Sequence, residues 1–170
     1  MKKTILAALL FIASLKAFCG IVDHDRMYQA YLSNDMSVWK TELQKYTAST
    51  DLTITDKLEI SNYLYGYIAT LLTDADKNKQ EIIGWIELWE KYLEEIEKAT
   101  GKNAYVHVYR SSINAYKSKV KAGGMMVWGP RSLTELKRAL NIDPNNPLAN
   151  GLKGNMLFYM PGFVGGDKEE

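Results

Sequence analysis

The sequence contains few of the residues that build cross-linked or metal-stabilised folds. Its 170 residues include one cysteine, Cys19, and two histidines, His24 and His107. One thiol forms neither an internal disulfide nor a thiolate metal site, and structural zinc needs three or four ligands. We therefore expect no metal and no cofactor, and a fold that its hydrophobic core stabilises.

Long apolar runs and a large net charge are also absent. After the N-terminal region no stretch reaches the eighteen or so apolar residues that a membrane-spanning helix needs. Without the leader described next, which contains three lysines, 18 basic residues oppose 20 acidic ones. Nucleic-acid-binding domains instead carry a clear excess of cations. We expect no integral membrane segment after cleavage and no nucleic-acid partner.

The first nineteen residues, MKKTILAALLFIASLKAFC, have the pattern of a secretory signal peptide. Two lysines precede an apolar core at 4–15, and the small residues Ala17 and Cys19 precede the predicted cut. A cut after Ala17 is an alternative, as is a lipidated Cys19, which the bulky Phe18 disfavours. We predict that residues 1–19 direct export and are removed.

Residues 20–170 have the length of one domain and a repeated helical pattern. Apolar residues recur at i, i+3 and i+4, while the only β-like run, YVHVY at 105–109, continues a helical stripe. The predicted helices cover about 24–33, 36–47, 53–72, 76–100, 103–121, 132–141 and 147–159. The predicted fold class is all-α, with about seven helices in a single domain.

Two glycine-rich segments interrupt the helical pattern. AGGMMVWGPRS, at 122–132, predicts a loop in which Trp128 covers the helix ends or joins a binding surface. SLTE, at 132–135, predicts a capping box in which Ser132 and Glu135 close the start of the sixth helix. The second segment, MPGFVGGDKEE, follows the last predicted helix.

The closing part of the chain resembles the tetratricopeptide repeat family. ALNIDPNN, at 139–146, is similar to the junction between two repeats, where Asp-Pro ends one helix. Ala149 and Gly154 stand where the next repeat has small residues, although Asn150 and Lys153 replace its usual Trp and Leu. The GN…FYMP…GGDKE segment resembles that of exported members from Gram-negative bacteria. The resemblance implies stacked antiparallel helical hairpins, in the periplasm or cell envelope.

In those relatives a further amphipathic helix follows the GGDKE segment, and the present sequence stops at its first turn. Asp167 would be the N-cap of that helix. We therefore expect an incomplete last hairpin, with a natural end and a short tail as the alternative. A last helix without its partner exposes apolar side chains, so self-association through this helix is also expected.

The two histidines and the carboxylates do not predict catalysis. His24 lies between two aspartates that can cap a helix, and His107 is interpreted as a packed or surface residue. No Gly-x-Ser-x-Gly motif is present, and pairs such as Glu94 and Glu95 fall on a polar helix face. We predict a protein without enzymatic activity.

The resemblance implies a scaffold or adaptor that binds a protein or peptide partner. The alternative is a small-molecule-binding component of an envelope uptake system. An open groove with Tyr, Arg or Asn would favour the first, and a closed cavity lined by Tyr and Trp the second. The candidate partner-binding residues are Tyr65, Tyr109, Trp128, Asn150, Asn155 and Tyr159.

Overall fold

The computed structural model of the protein describes residues 21–159, with Tyr159 described by its backbone alone. The predicted signal peptide and the GGDKE segment with Asp167 lie outside this range. Regular structure within it is helical, without a strand, which confirms the all-α prediction. The helices are α1 His24–Leu32, α2 Met36–Thr47, α3 Ile54–Leu71, α4 Ala75–Thr100, α5 Ala104–Val120, α6 Gly124–Ile142 and α7 Pro147–Tyr159, with a 3-10 turn at Leu72–Asp74.

The described chain forms two compact units, one of residues 21–60 and one of residues 61–159, with the boundary inside α3. In the first unit, carboxylates cap the first two helices. Asp23 accepts from the amide of Arg26, and Asp35 accepts from the amides of two first-turn residues of α2. These bonds satisfy amides that have no partner within the helix.

Tyr46 is completely buried in the first unit. Its hydroxyl accepts from the Asp23 amide at 2.9 Å, and its burial raises the pKa of Tyr46 to about 12. The side chain of His24 contacts Glu59, with its Nε2 2.7 Å from Glu59 Oε1. The other buried apolar residues of this unit are Val22, Met27, Ala30, Trp39, Leu43 and Ile60.

In the second unit, α4 and α5 run antiparallel. Glu90 lies opposite Lys117 and Glu97 opposite Arg110, so rising numbers on one helix meet falling numbers on the other. The apolar stripe of α4 faces inward and is completely buried at Ile82, Ile86, Trp89, Leu93 and Ile96. α5 contacts α4, α6 and α7.

α5 and α6 approach each other closely through two serines. The Ser111 hydroxyl donates to the Ser132 carbonyl and the Ser132 hydroxyl to the Ser111 carbonyl, both at 2.8 Å. Both residues are buried, and their small side chains allow the two backbones to come together. Beside them Val108 packs against Leu136, Ala139 and the α7 residue Ala149.

The predicted loop at 122–132 and the predicted capping box are wrong. α6 begins at Gly124 and continues through Pro130, so Ser132 and Glu135 lie in the helix interior. Pro130 has no amide hydrogen to donate within the helix, which costs stability. Two local features stabilise the start of α6 despite this loss. The Trp128 indole donates to the Ala122 carbonyl at 3.1 Å, and Gly123 turns the chain with a φ of 87°.

Replacing Pro130 with alanine is expected to raise the free energy of unfolding by about 1–3 kcal/mol. The substitution restores an amide donor inside a helix and removes a ring that clashes with the preceding turn. The side chain is exposed, so little packing is lost. Urea unfolding of the variant and the parent measures the difference.

The matched control is Pro144→Ala, since Pro144 is exposed in the turn between α6 and α7. We expect a loss of about 0.4–1 kcal/mol there, because the unfolded chain gains freedom. Equal effects at the two positions would contradict a helix that continues through residues 124–131.

Candidate functional site

An open groove crosses α4, α5 and α6 and consists of two neighbouring depressions. One has a volume of about 110 Å³ and the other about 350 Å³, and both are lined by Asn114 and Glu135. We call this surface the charged groove. The first depression is also lined by Glu90, Glu94, Arg110 and Ile113, and the second by Pro130, Arg131, Thr134 and Arg138.

Ion pairs between helices hold the α4 side of the charged groove. Lys117 Nζ donates to Glu90 Oε1 at 2.6 Å, and Arg110 Nη2 donates to Glu97 Oε2 at 2.8 Å. The Arg110 hydrogen bond lowers the pKa of the Glu97 carboxyl below its ordinary value. Because α4 supplies the acids and α5 the bases, these contacts also set the register of the two helices.

Asn114 occupies the centre of the charged groove. It is half-buried on α5, and its side-chain amide has no hydrogen-bond partner among residues 21–159. A primary amide carries two donor hydrogens and an acceptor oxygen. Asn114 therefore presents a donor and an acceptor to any group that enters the groove.

Glu135 joins the charged groove to the interior. Its Oε2 lies 2.6 Å from His107 Nδ1, and its Oε1 accepts from Arg138 Nη1 at 2.6 Å. The side chains of His107 and Glu135 expose 11% and 14% of their surface. Arg138 exposes 58%, so the guanidinium remains accessible from the groove.

Trp128 stands at the edge of the second depression, in contact with two cations. The Arg131 guanidinium lies 4.7 Å and the Lys117 ammonium 5.0 Å from the ring centroid. Both distances are within the range of cation–π attraction. The indole therefore orients Arg131, which lines the groove.

The structure does not bring the predicted partner-binding residues together. Tyr109 lies in the core, where it is 4% exposed and its ring centroid lies 5.4 Å from that of Trp89. Tyr65 is half-buried and stacks on Tyr116 at 6.2 Å. Large apolar rings at helical spacing are buried between helices here, as is usual for a core.

The α7 residues have separate roles. Asn150 is exposed, but its amide donates to the carbonyls of Pro144 and Asn146, so it stabilises the turn before α7. Asn155 is exposed on the same helix, and the side chain of Tyr159 lies outside the described residues. Among the predicted residues whose side chains are described, Trp128 is the one that contacts a lining residue of the charged groove, Arg131.

The remaining apolar residues of α7 are divided between the core and the surface. Leu152 and Met156 pack against the cluster that contains Val108 and Leu136. Phe158 leaves 52% of its surface exposed. Self-association through α7 stays a prediction.

Sequence reasoning missed the residues that line the charged groove, although a signal for them is present. Residues 98–134 contain seven lysines and arginines and no acid, whereas residues 87–97 contain five glutamates. Opposite charge on two consecutive amphipathic helices predicts ion pairs between them. Arg131, Thr134, Glu135 and Arg138 share one face of α6 through i+3 and i+4 spacing.

No protein-family model matches the sequence, and neither the curated proteins nor the solved structures give a match. Within residues 21–159 no three His, Cys, Asp or Glu side chains are grouped to hold a metal ion. No helix in this range has the length and apolar character to cross a membrane. The fold and site thus define an all-α protein with an open charged groove on three consecutive helices.

Proposed function

We propose that the chain is an exported, non-enzymatic, tetratricopeptide-like adaptor whose charged groove binds an extended segment of a partner protein. The observation that carries the proposal is the Asn114 amide, which has no partner in the described chain and lies between charged depressions. An extended peptide offers backbone donors and acceptors that such an amide can engage together. The predicted leader and the family resemblance supply the cell-envelope location.

The distribution of charge in the groove favours a particular kind of peptide. The first depression has three carboxylates, of Glu90, Glu94 and Glu135, and one guanidinium, of Arg110. The second has two guanidiniums, of Arg131 and Arg138 among its lining residues, beside the shared Glu135. A segment with a basic residue at one end and an acidic residue at the other would match both.

In the proposal, His107 and Glu135 have a structural role at the charged groove. The Glu135 carboxylate is bound on one oxygen by the imidazole and on the other by Arg138. Both groups thereby connect α5 to α6. The pair is thus suited to fixing the groove wall.

The alternative, binding of a small molecule, is favoured by one observation. The second depression has a volume of about 350 Å³, within the range of about 300–1,000 Å³ found for small-molecule pockets. It is open and charged, whereas such pockets are largely apolar and enclosed. The peptide interpretation therefore accounts for more of the lining.

A random peptide display library, selected on the immobilised chain, tests the proposal. We expect enriched peptides that combine basic and acidic residues, and a dissociation constant that Asn114→Ala raises about tenfold in calorimetric titration. The change removes a hydrogen-bonding group and leaves the peptide backbone without its partner.

The matched control is Lys137→Ala, because Lys137 is exposed on α6 and does not line either depression. It should leave the dissociation constant unchanged. A library that yields no binder, or peptides that bind the Asn114→Ala variant equally well, would exclude a peptide-binding groove at this position.

A further inference from the structure

The corner between α5 and α6 exposes apolar side chains to an unusual degree. Met125, Met126 and Val127, in the first turn of α6, expose 60%, 92% and 41% of their surface. They follow a turn in which the Gly124 amide donates to the Lys121 carbonyl and Gly123 has positive φ. The turn thus projects these three side chains at an end of the helical layer.

Basic residues flank these apolar side chains. Lys119 is exposed at the end of α5 and makes no ion pair within residues 21–159. Lys121 is half-buried and lies 3.9 Å from Glu87, the only acid paired with it there. We call Lys119, Lys121, Met125, Met126 and Val127 the methionine corner.

We propose that the methionine corner docks the protein on the surface of an anionic lipid bilayer. Apolar side chains that project from a basic surface can enter the headgroup region while the lysines contact lipid phosphates. Charge complementarity favours this occupant, because no acid lies between Lys119 and Val127 in the sequence and Lys119 has no ion-pair partner among the described residues. Trp128, behind the tip, adds an amphipathic ring of the kind enriched at bilayer interfaces.

The shape of the corner favours lipid over a protein surface. Met126 is almost fully exposed in the first turn of α6, so a protein partner would need a concavity that encloses its side chain. A fluid bilayer adapts to such a projection, and unbranched methionines adapt to the lipid. Insertion reaches about 5–10 Å, the depth of interfacial helices, and gives weak, reversible attachment on the scale of a single acyl chain.

Vesicle sedimentation tests this surface on the chain from Gly20 onwards, which contains every described residue. We expect sedimentation with phosphatidylcholine vesicles that contain about one third phosphatidylglycerol, and little with pure phosphatidylcholine. Replacing Lys119 and Lys121 by glutamine should lower the partition constant about 25-fold, since each charge contributes about fivefold. Met125→Ser with Met126→Ser should lower the partition constant at least about tenfold, because serine loses the free energy that methionine gains when its apolar surface leaves water.

The matched control for charge is Lys98→Gln with Lys102→Gln, because both lysines are exposed and lie near the turn between α4 and α5, whereas the methionine corner lies at the turn between α5 and α6. This variant removes the same charge and should keep parental partitioning. Circular dichroism of each variant should match the parent.

Three results would overturn the proposal. The first is failure of the parent chain to sediment with anionic vesicles. The second is an equal loss in the Lys98 and Lys102 control, which would show unspecific attraction. The third is a dimer in sedimentation velocity that the methionine variant dissociates, which would assign the corner to a second copy of the chain.

Discussion

Trp89→Ala is expected to lower the free energy of unfolding by about 3–5 kcal/mol, the cost of deleting a large buried aromatic side chain. Trp89 lies at the centre of the second unit and is completely buried. Its ring centroid is 5.4 Å from that of Tyr109 and 6.4 Å from that of Tyr116. Its removal leaves a cavity between α4 and α5, and guanidinium unfolding monitored by circular dichroism measures the loss.

A second substitution at this position separates packing from hydrogen bonding. The buried indole N–H of Trp89 has no acceptor among the described residues, which costs about 1–3 kcal/mol. Trp89→Phe removes that donor and keeps most of the ring, so its cost should fall well below that of Trp89→Ala. Tyr105→Ala, at a side chain that is 42% exposed, provides the surface control.

Two unfolding results would contradict this role of Trp89. If Trp89→Ala and Tyr105→Ala destabilise the protein equally, Trp89 does not form the centre of a packed unit. If Trp89→Phe costs as much as Trp89→Ala, the ring contacts described here contribute little to stability.

The second large effect is a steep loss of stability above pH 10. Burial raises the pKa of Tyr67, Tyr109 and Tyr116 above the ordinary tyrosine value, and the Glu81 carboxylate also raises that of Tyr67. The folded second unit therefore keeps the phenolic protons of these rings, and of Tyr92, whose pKa burial also raises, at a pH where the unfolded chain releases them. At pH 11 the difference amounts to about 1 kcal/mol for each ring, or a few kcal/mol together.

The sign follows from the raised pKa values. Between pH 10, where unfolded tyrosines ionise, and the higher pKa of the folded state, the native protein binds more protons. Stability is therefore fully present below pH 10 and decreases as the pH rises through this window. Urea unfolding at pH 8, 10 and 11 measures the decrease.

Substitution of one tyrosine identifies the source of the slope. Tyr116→Phe loses the hydrogen bond to the Tyr65 carbonyl at every pH, but its decrease between pH 10 and 11 should be smaller by about 1 kcal/mol. Tyr105→Phe, at an exposed ring, should keep the parental slope. Since lysine pairs such as Lys117–Glu90 weaken equally in all three proteins, an unchanged slope in Tyr116→Phe would contradict the assignment.

Most of the helices follow from local properties of the sequence. The stripe from Ile82 to Ile96 predicts α4 because apolar residues at 3.6-residue spacing need a single buried face. Asp23 and Asp35 predict helix starts because short carboxylate side chains bond the first amides. These effects act between residues within one or two helical turns, so they can be predicted from a single sequence.

α6 shows where local rules lose to tertiary contacts. Gly129 and Pro130 disfavour a helix on intrinsic propensity, and the SLTE motif predicts a later start. The structure nonetheless continues the helix from Gly124, and the Ser132 hydroxyl bonds to Ser111 instead of capping an N-terminus. Packing against α5 stabilises this part of the helix. The hydrophobic periodicity of one segment does not show which other helix it packs against.

The sequence alone determined that the chain is helical, where most helices begin, and which face of each is apolar, because these depend on residues within one or two turns. Tertiary structure decided that Tyr109 is core and that Asn114, Glu135 and Arg138 meet in one groove. Those residues come together only when α5 and α6 pack side by side, at a register set by the serine contact and the His107–Glu135 pair. Contacts between distant segments depend on the docking of whole helix faces, and no local pattern specifies which faces meet.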